Sequence, residues 1–114
     1  MTELTGDELV LMLGTLASPH RIRVLAALAD GRAYVSQLAR DVGISRALLQ
    51  VHLKKLERAG LVTAHLELSE DGKAMKFYEV ADFDLHLTAS TLAEAAQTLT
   101  TAGPEKAPAP KEDP

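Results

Sequence analysis

From Ser45 to Gly60 the chain reads SRALLQVHLKKLERAG, with polar and apolar residues recurring at helical spacing. On a helical wheel Leu49, Leu53 and Leu56 gather on one side, flanked by Leu48 and His52, while Arg46, Ala47, Gln50, Val51, Lys54 and Arg58 take the other. That second set has a definite chemistry. A guanidinium forks onto N7 and O6 of guanine, a glutamine amide pairs with N6 and N7 of adenine, and small apolar side chains touch the thymine methyl. Lysines and a capped helix N-terminus meet phosphates. A helix that only solvates itself would mix glutamates among its lysines, and here Glu57 is the single acidic residue. The expectation is a helix whose outer face fits the major groove of double-stranded DNA. Arg46, Ala47, Gln50 and Val51 would meet base edges, and Ser45, Lys54 and Arg58 the backbone.

Such a helix needs a frame. Ahead of it Ser36 is expected to cap a short helix, QLARDV, that stops at Gly43. The link Gly43-Ile44-Ser45 is so short that the two helices have the outline of a helix-turn-helix, and Ser36 joins the phosphate-contacting set. After Gly60, strand-forming residues stand on both sides of SEDGK. Asp71-Gly72 predicts a type I′ turn with positive φ at both central residues. This hairpin is a wing, with Lys73 and Lys76 reaching phosphates or the minor groove. Phe77 and Tyr78 straddle the returning strand, so one of them should pack inward.

Upstream, Thr5 and Glu8 have capping-box spacing and open a helix to about Leu16, apolar over most of its circumference. The next helix starts at Ser18-Pro19 and stops at Gly31, with Ile22, Leu25, Ala26 and Ala29 on its core stripe. RAYV is a short extended link. A last helix is expected from about Thr88 to Thr101, with a narrow stripe of Leu92, Ala95, Ala96 and Leu99. The whole is a mainly α chain with a small β-hairpin (α+β): a winged helix-turn-helix of about five helices and a two- or three-stranded wing. Residues 1–102 form the folded domain. Residues 103–114, GPEKAPAPKEDP, hold four of the five prolines among charges and are expected to be disordered.

Composition narrows the function classes. With no cysteine among 114 residues, disulfides, thiolate metal sites and cysteine nucleophiles are excluded. The acidic start and interrupted apolar run of the N-terminus argue against a signal peptide or a membrane span, so a cytoplasmic address is expected. The net charge is −4, yet residues 21–60 hold eight basic side chains and only three acidic ones. Such a polarised surface steers an anionic partner by local potential. No Ser/His/Asp order, glycine-rich phosphate loop or carboxylate pair stands out, so no enzyme is expected, and no cofactor. His52 falls on the core flank of its helix and reads as a packed histidine. His20 and His65 have no ligand partner on their own elements and read as surface residues.

The stretches LASPHRIRVLAAL, VSQLARDVGIS, VHLKKLERAGLV and GKAMKFYEV resemble the ArsR/SmtB-like family of winged-helix transcriptional regulators, over roughly residues 8–100. The resemblance implies a homodimer held by the first and last helices. On this chain that interface would be Leu9, Met12, Leu13 and Leu16 with Leu92, Ala95, Ala96 and Leu99. It also implies an inverted-repeat operator and an autoregulating repressor, released by an effector where one exists. Metal-sensing members use cysteines, or an aspartate with histidines around the last helix. Here the frame from Asp82 meets Asp84, Ala95 and Thr98, and the frame from Asp84 and His86 meets Gln97 and Thr100, so neither holds four donors and no metal is expected. The competing reading is a winged helix that docks an acidic protein partner without specific DNA binding.

Overall fold

The computed structural model describes residues 4–100. Along the chain run α1 (Gly6–Leu16), α2 (Pro19–Leu28), β1 (Ala33–Tyr34), α3 (Val35–Val42), α4 (Arg46–Arg58), β2 (Val62–Leu68), β3 (Ala74–Val80) and α5 (Ala89–Ala96). Among the described residues this is five helices and one antiparallel sheet in the order β1-β3-β2, the winged helix-turn-helix that the element order predicts. The described residues divide into two compact units, residues 11–84 and the pairing of residues 4–10 with 85–100. The expected tail at 103–114 and the domain end at 102 lie outside the described residues.

The unit Leu11–Asp84 is built around α4. Leu49, Leu53 and Leu56 are fully buried, as are Leu38 of α3, Val24 of α2, and Leu61, Val62 and Tyr78 of the sheet region. Each such side chain contributes roughly 1.5–3 kcal/mol through apolar burial. Around α4 pack α2, α3 and β2, while β3 supports α2 and α3.

Several expectations are corrected. The buried side of α2 carries Val24 and Leu28, whereas Ile22, Ala26 and Ala29 are exposed; the ladder is read one residue off because Arg21 turns inward. Helix α3 begins at Val35, not after Ser36, with Tyr34 in the cap position and no side-chain cap bond. Tyr34 stays extended because it pairs with Phe77 across the sheet, and Val35 is pulled into the core. Ser36 is therefore an exposed residue inside the first turn rather than a cap.

The wing turn also differs. Only Gly72 has positive φ, at +87°, and Asp71 does not. Gly72 N–H donates to Ser69 O at 2.9 Å, and Ser69 N–H to Lys73 O at 2.8 Å. The five residues between the strands thus close with a left-handed glycine after an ordinary turn, which spares Asp71 the positive φ that a type I′ turn demands. Both Phe77 and Tyr78 are buried, Phe77 beneath the Arg32 guanidinium and beside the Tyr34 and His65 rings.

In the other unit Thr5 and Glu8 close the predicted capping box. Thr5 N–H donates to Glu8 Oε1 at 2.9 Å, and Glu8 N–H to Thr5 Oγ1 at 3.1 Å. Helix α5 has a box of its own, Thr88 with Thr91, and ends at Ala96, so it is shorter than the stretch to Thr101 expected for it. Its last turn gives way to threonine contacts: Gly6 N–H donates to Thr98 Oγ1 at 2.6 Å, and Thr100 N–H to Asp7 Oδ1 at 3.2 Å. A Cβ on Gly6 would collide with the Ala95 carbonyl oxygen and stand 2.7 Å from Leu99 Cγ. Because a backbone oxygen gives way less easily than a side chain, Gly6→Ala is expected to destabilise by about 1–3 kcal/mol, read from the urea midpoint.

Candidate nucleic-acid interface

Helix α4 is aimed by its two ends. At its start Gly43 sits at φ +82°, so that Ala39 O accepts from both Gly43 N–H (2.8 Å) and Ile44 N–H (3.1 Å), and the chain turns sharply out of α3. Ser45 then stays extended and its hydroxyl accepts from Leu48 N–H at 3.1 Å, capping α4 as expected. At the other end Gly60, at φ +79°, lets Leu61 N–H reach Leu56 O at 2.9 Å and starts the wing.

Between these caps the two faces separate. Arg46, Ala47, Val51, Lys54 and Arg58 are exposed, Gln50 is half-buried, and Leu49, Leu53, Leu56 and His52 are buried. Among the described residues the ion pairs are Arg32–Glu67 at 3.2 Å and His65–Glu79 at 3.0 Å, neither of which involves α4. The cations of α4 thus present their full charge to solvent. Lys73 in the wing turn and Lys76 on β3 are also exposed, with Lys76 Nζ lying 5.6 Å from the Tyr78 ring centroid. Leu66 and Leu68, cross-strand from Lys76 and Ala74, are strongly exposed, an apolar wing surface that the sequence reading does not anticipate.

One face of the wing is held by side chains far apart in sequence. Glu67 accepts from Tyr34 O–H at 2.8 Å and pairs with Arg32, whose guanidinium lies 4.1 Å over Phe77. The Tyr34 hydroxyl holds the Glu67 carboxyl below its usual range, and the same bond raises the tyrosine. His65 stacks on Phe77 at 5.1 Å and pairs with Glu79, so it is not a free surface histidine. Only the register that sets Tyr34 opposite Phe77 and His65 opposite Phe77 brings these residues together, and no local pattern announces it.

A second group joins α2 to α4. Arg21 Nε donates to His52 Nδ1 at 3.2 Å, and Arg21 Nη1 donates to Thr15 O at 3.1 Å. His20 lies beside His52, ring centroids 5.4 Å apart, and is half-buried rather than the plain surface residue expected. Of the residues assigned to the dimer interface, Leu92, Leu99 and Ala96 are exposed and Leu13, Leu16 and Ala95 half-buried, but Leu9 and Met12 are already buried within the chain. On α1 the exposed apolar positions are instead Val10 and Leu11. No three His, Asp or Glu side chains converge as a metal site among the described residues, and no single helix is long and apolar enough to cross a membrane.

These features agree with the comparisons. Residues 18–64 match the family model described as bacterial regulatory protein, arsR family. The regulator CmtR of Mycobacterium tuberculosis is 39% identical over 84 residues, which are 74% of this chain and 64% of that one. MJ0229 of Methanocaldococcus jannaschii, described as an HTH-type transcriptional regulator, is 31% identical over 80 residues, covering 70% of this chain and 83% of the relative. Among solved structures, the homodimeric winged helix-turn-helix domain Mb0332 of Mycobacterium bovis superposes with a TM-score of 0.59 at 23% identity, covering 80% of this chain and 74% of that one. The chain belongs to the ArsR family of winged helix-turn-helix regulators. It spans 64% of the length of the CmtR proteins it matches.

Proposed function

We propose that this chain is a sequence-specific double-stranded DNA-binding regulator that acts in the cytoplasm as a homodimer on an inverted repeat and represses its own promoter by occupying it. The observation that carries this reading is the outer face of α4: exposed Arg46, Ala47, Val51, Lys54 and Arg58, none ion-paired among the described residues, on a helix anchored by three fully buried leucines. Arg46, Ala47, Gln50 and Val51 read base edges. Lys54 and Arg58, the Ser45 helix start, Lys73, Lys76 and, from the first turn of α3, Ser36 meet phosphates. In the unit that holds α5, exposed Val10, Leu92, Ala96 and Leu99 and half-buried Ala95 supply apolar surface for a second copy; in the other unit exposed Leu11 and half-buried Leu13 and Leu16 do the same.

The test is a salt titration of affinity for duplexes selected from a random-sequence pool. Log affinity is expected to fall steeply with log salt, and Lys54→Ala to flatten that slope by about 0.9 while weakening all sequences alike. A shallow slope without preference for any duplex would leave the basic face to an acidic protein partner instead.

A further inference from the structure

The Arg21 guanidinium hydrogen-bonds both the end of α1 and the recognition helix α4. Its Nη1 donates to the carbonyl of Thr15, in the last turn of α1, and its Nε donates to His52 Nδ1, in the middle of α4. The α1 end of this tie is itself fixed, because Thr15 is buried and its hydroxyl donates to Leu11 O at 2.7 Å. A cation on a free helix-terminal carbonyl is a favourable pairing. The other end depends on one lone pair. For Nδ1 to accept, the His52 ring must be neutral with its proton on Nε2.

We propose that Arg21 is a positioning residue that sets the recognition helix against α1, and that a proton on His52 Nδ1 releases it, so that site-specific DNA binding weakens in mild acid. The proposal rests on the DNA-binding reading above. Protonated Nδ1 no longer accepts; it turns an N–H toward the Arg21 Nε–H, and an imidazolium stands against a guanidinium. The neighbourhood offers nothing to offset that charge. His52 is only 8% exposed, and the groups acting on it are Arg21 and His20 of α2 and Lys55 of its own helix, all basic. Among the described residues no carboxylate lies within ion-pair distance of it, and neither His52 Nε2 nor His20 Nδ1 has a hydrogen-bond partner. Burial first, then these neighbours, hold His52 below the ordinary histidine value of 6.5.

The sign follows by linkage. The unfolded chain takes up the proton near 6.5 and the folded chain only lower, so the stability that neutral His52 contributes is complete above 6.5. It drains as pH falls from there toward the folded value, and below that value this group removes no more. Exposed histidines act the other way on DNA, since their charge strengthens binding to any sequence. The informative quantity is therefore the ratio of affinities for the tightest duplex selected from a random pool and for its scrambled counterpart.

The experiment measures that ratio from pH 7.5 to 5.5 at constant ionic strength, beside a nitrogen-15 NMR titration of the histidine rings and thermal melts without DNA. In the wild type the ratio is expected to fall by a factor of about 3–10, one proton being limited to about tenfold per pH unit. His52→Asn, whose side-chain oxygen accepts near the place of Nδ1 without titrating, should give a flat ratio; Arg21→Lys should give a low ratio already at pH 7.5. Identical profiles for wild type and His52→Asn, or a His52 ring titrating at or above 6.5, would overturn the proposal. If no duplex is preferred at any pH the DNA reading fails, and the melts still decide the tie: a wild-type melting temperature that does not drop below pH 6.5 relative to His52→Asn overturns it. If His52→Asn does not fold, the NMR titration and Arg21→Lys decide.

Discussion

Alanine at both Arg46 and Gln50 is expected to remove about 2–6 kcal/mol from binding to the preferred duplex, at about 1–3 kcal/mol for each lost base contact and near additivity for separate base pairs. Binding to scrambled duplex should change far less. Arg46 contributes there only one phosphate-attracting charge, and Gln50 none. The larger share falls to Arg46, because it stands clear of the protein at the start of α4 while Gln50 is half-buried and has less freedom to reach. Competition binding of the single and double variants on both duplexes checks this. An equal loss on both would strip the two residues of base reading and leave them as part of the general cationic surface.

The outward direction of Arg46 and Lys54 is legible in the sequence because it follows from local order. Leu49, Leu53 and Leu56 repeat at helical spacing, Ser45 can cap, and Gly43 and Gly60 bracket the helix; each of these acts within a few residues, and each is observed. Where local rules compete with pairing across the sheet, the reading slips. Ser36 is a good cap by type, yet Tyr34 is held extended by Phe77, and α3 starts before the serine. Asp71-Gly72 favours one turn by type, and the five residues between the strands allow another with a single left-handed glycine. On α2 the helix is read correctly and its buried side is not, since Ile22, Ala26 and Ala29 make as good a stripe as Val24 and Leu28 until Arg21 is committed to His52 and Thr15. The Arg32–Tyr34–Glu67 and Arg21–His52 contacts join residues about thirty positions apart, and no spacing rule reaches that far.

Leu53→Ala is expected to cost about 2–5 kcal/mol of stability, the sum of lost transfer energy and the cavity left behind. Leu53 is fully buried at the centre of α4, with α2, α3 and β2 packed around the helix, so its neighbours cannot close the gap without moving one of three elements. For a small domain that is a large part of the whole. The control is Val51→Ala on the same helix, half exposed on the opposite face, which should change stability by no more than about 0.5 kcal/mol. The urea midpoints of the two variants at unchanged m-value make the comparison. A cost below about 1 kcal/mol for Leu53→Ala would mean that α4 is not seated on its leucines. The outward direction of Arg46, Lys54 and Arg58 would lose its main support with that seating, and only the His52 tie to Arg21 would be left to hold the inner side of the helix.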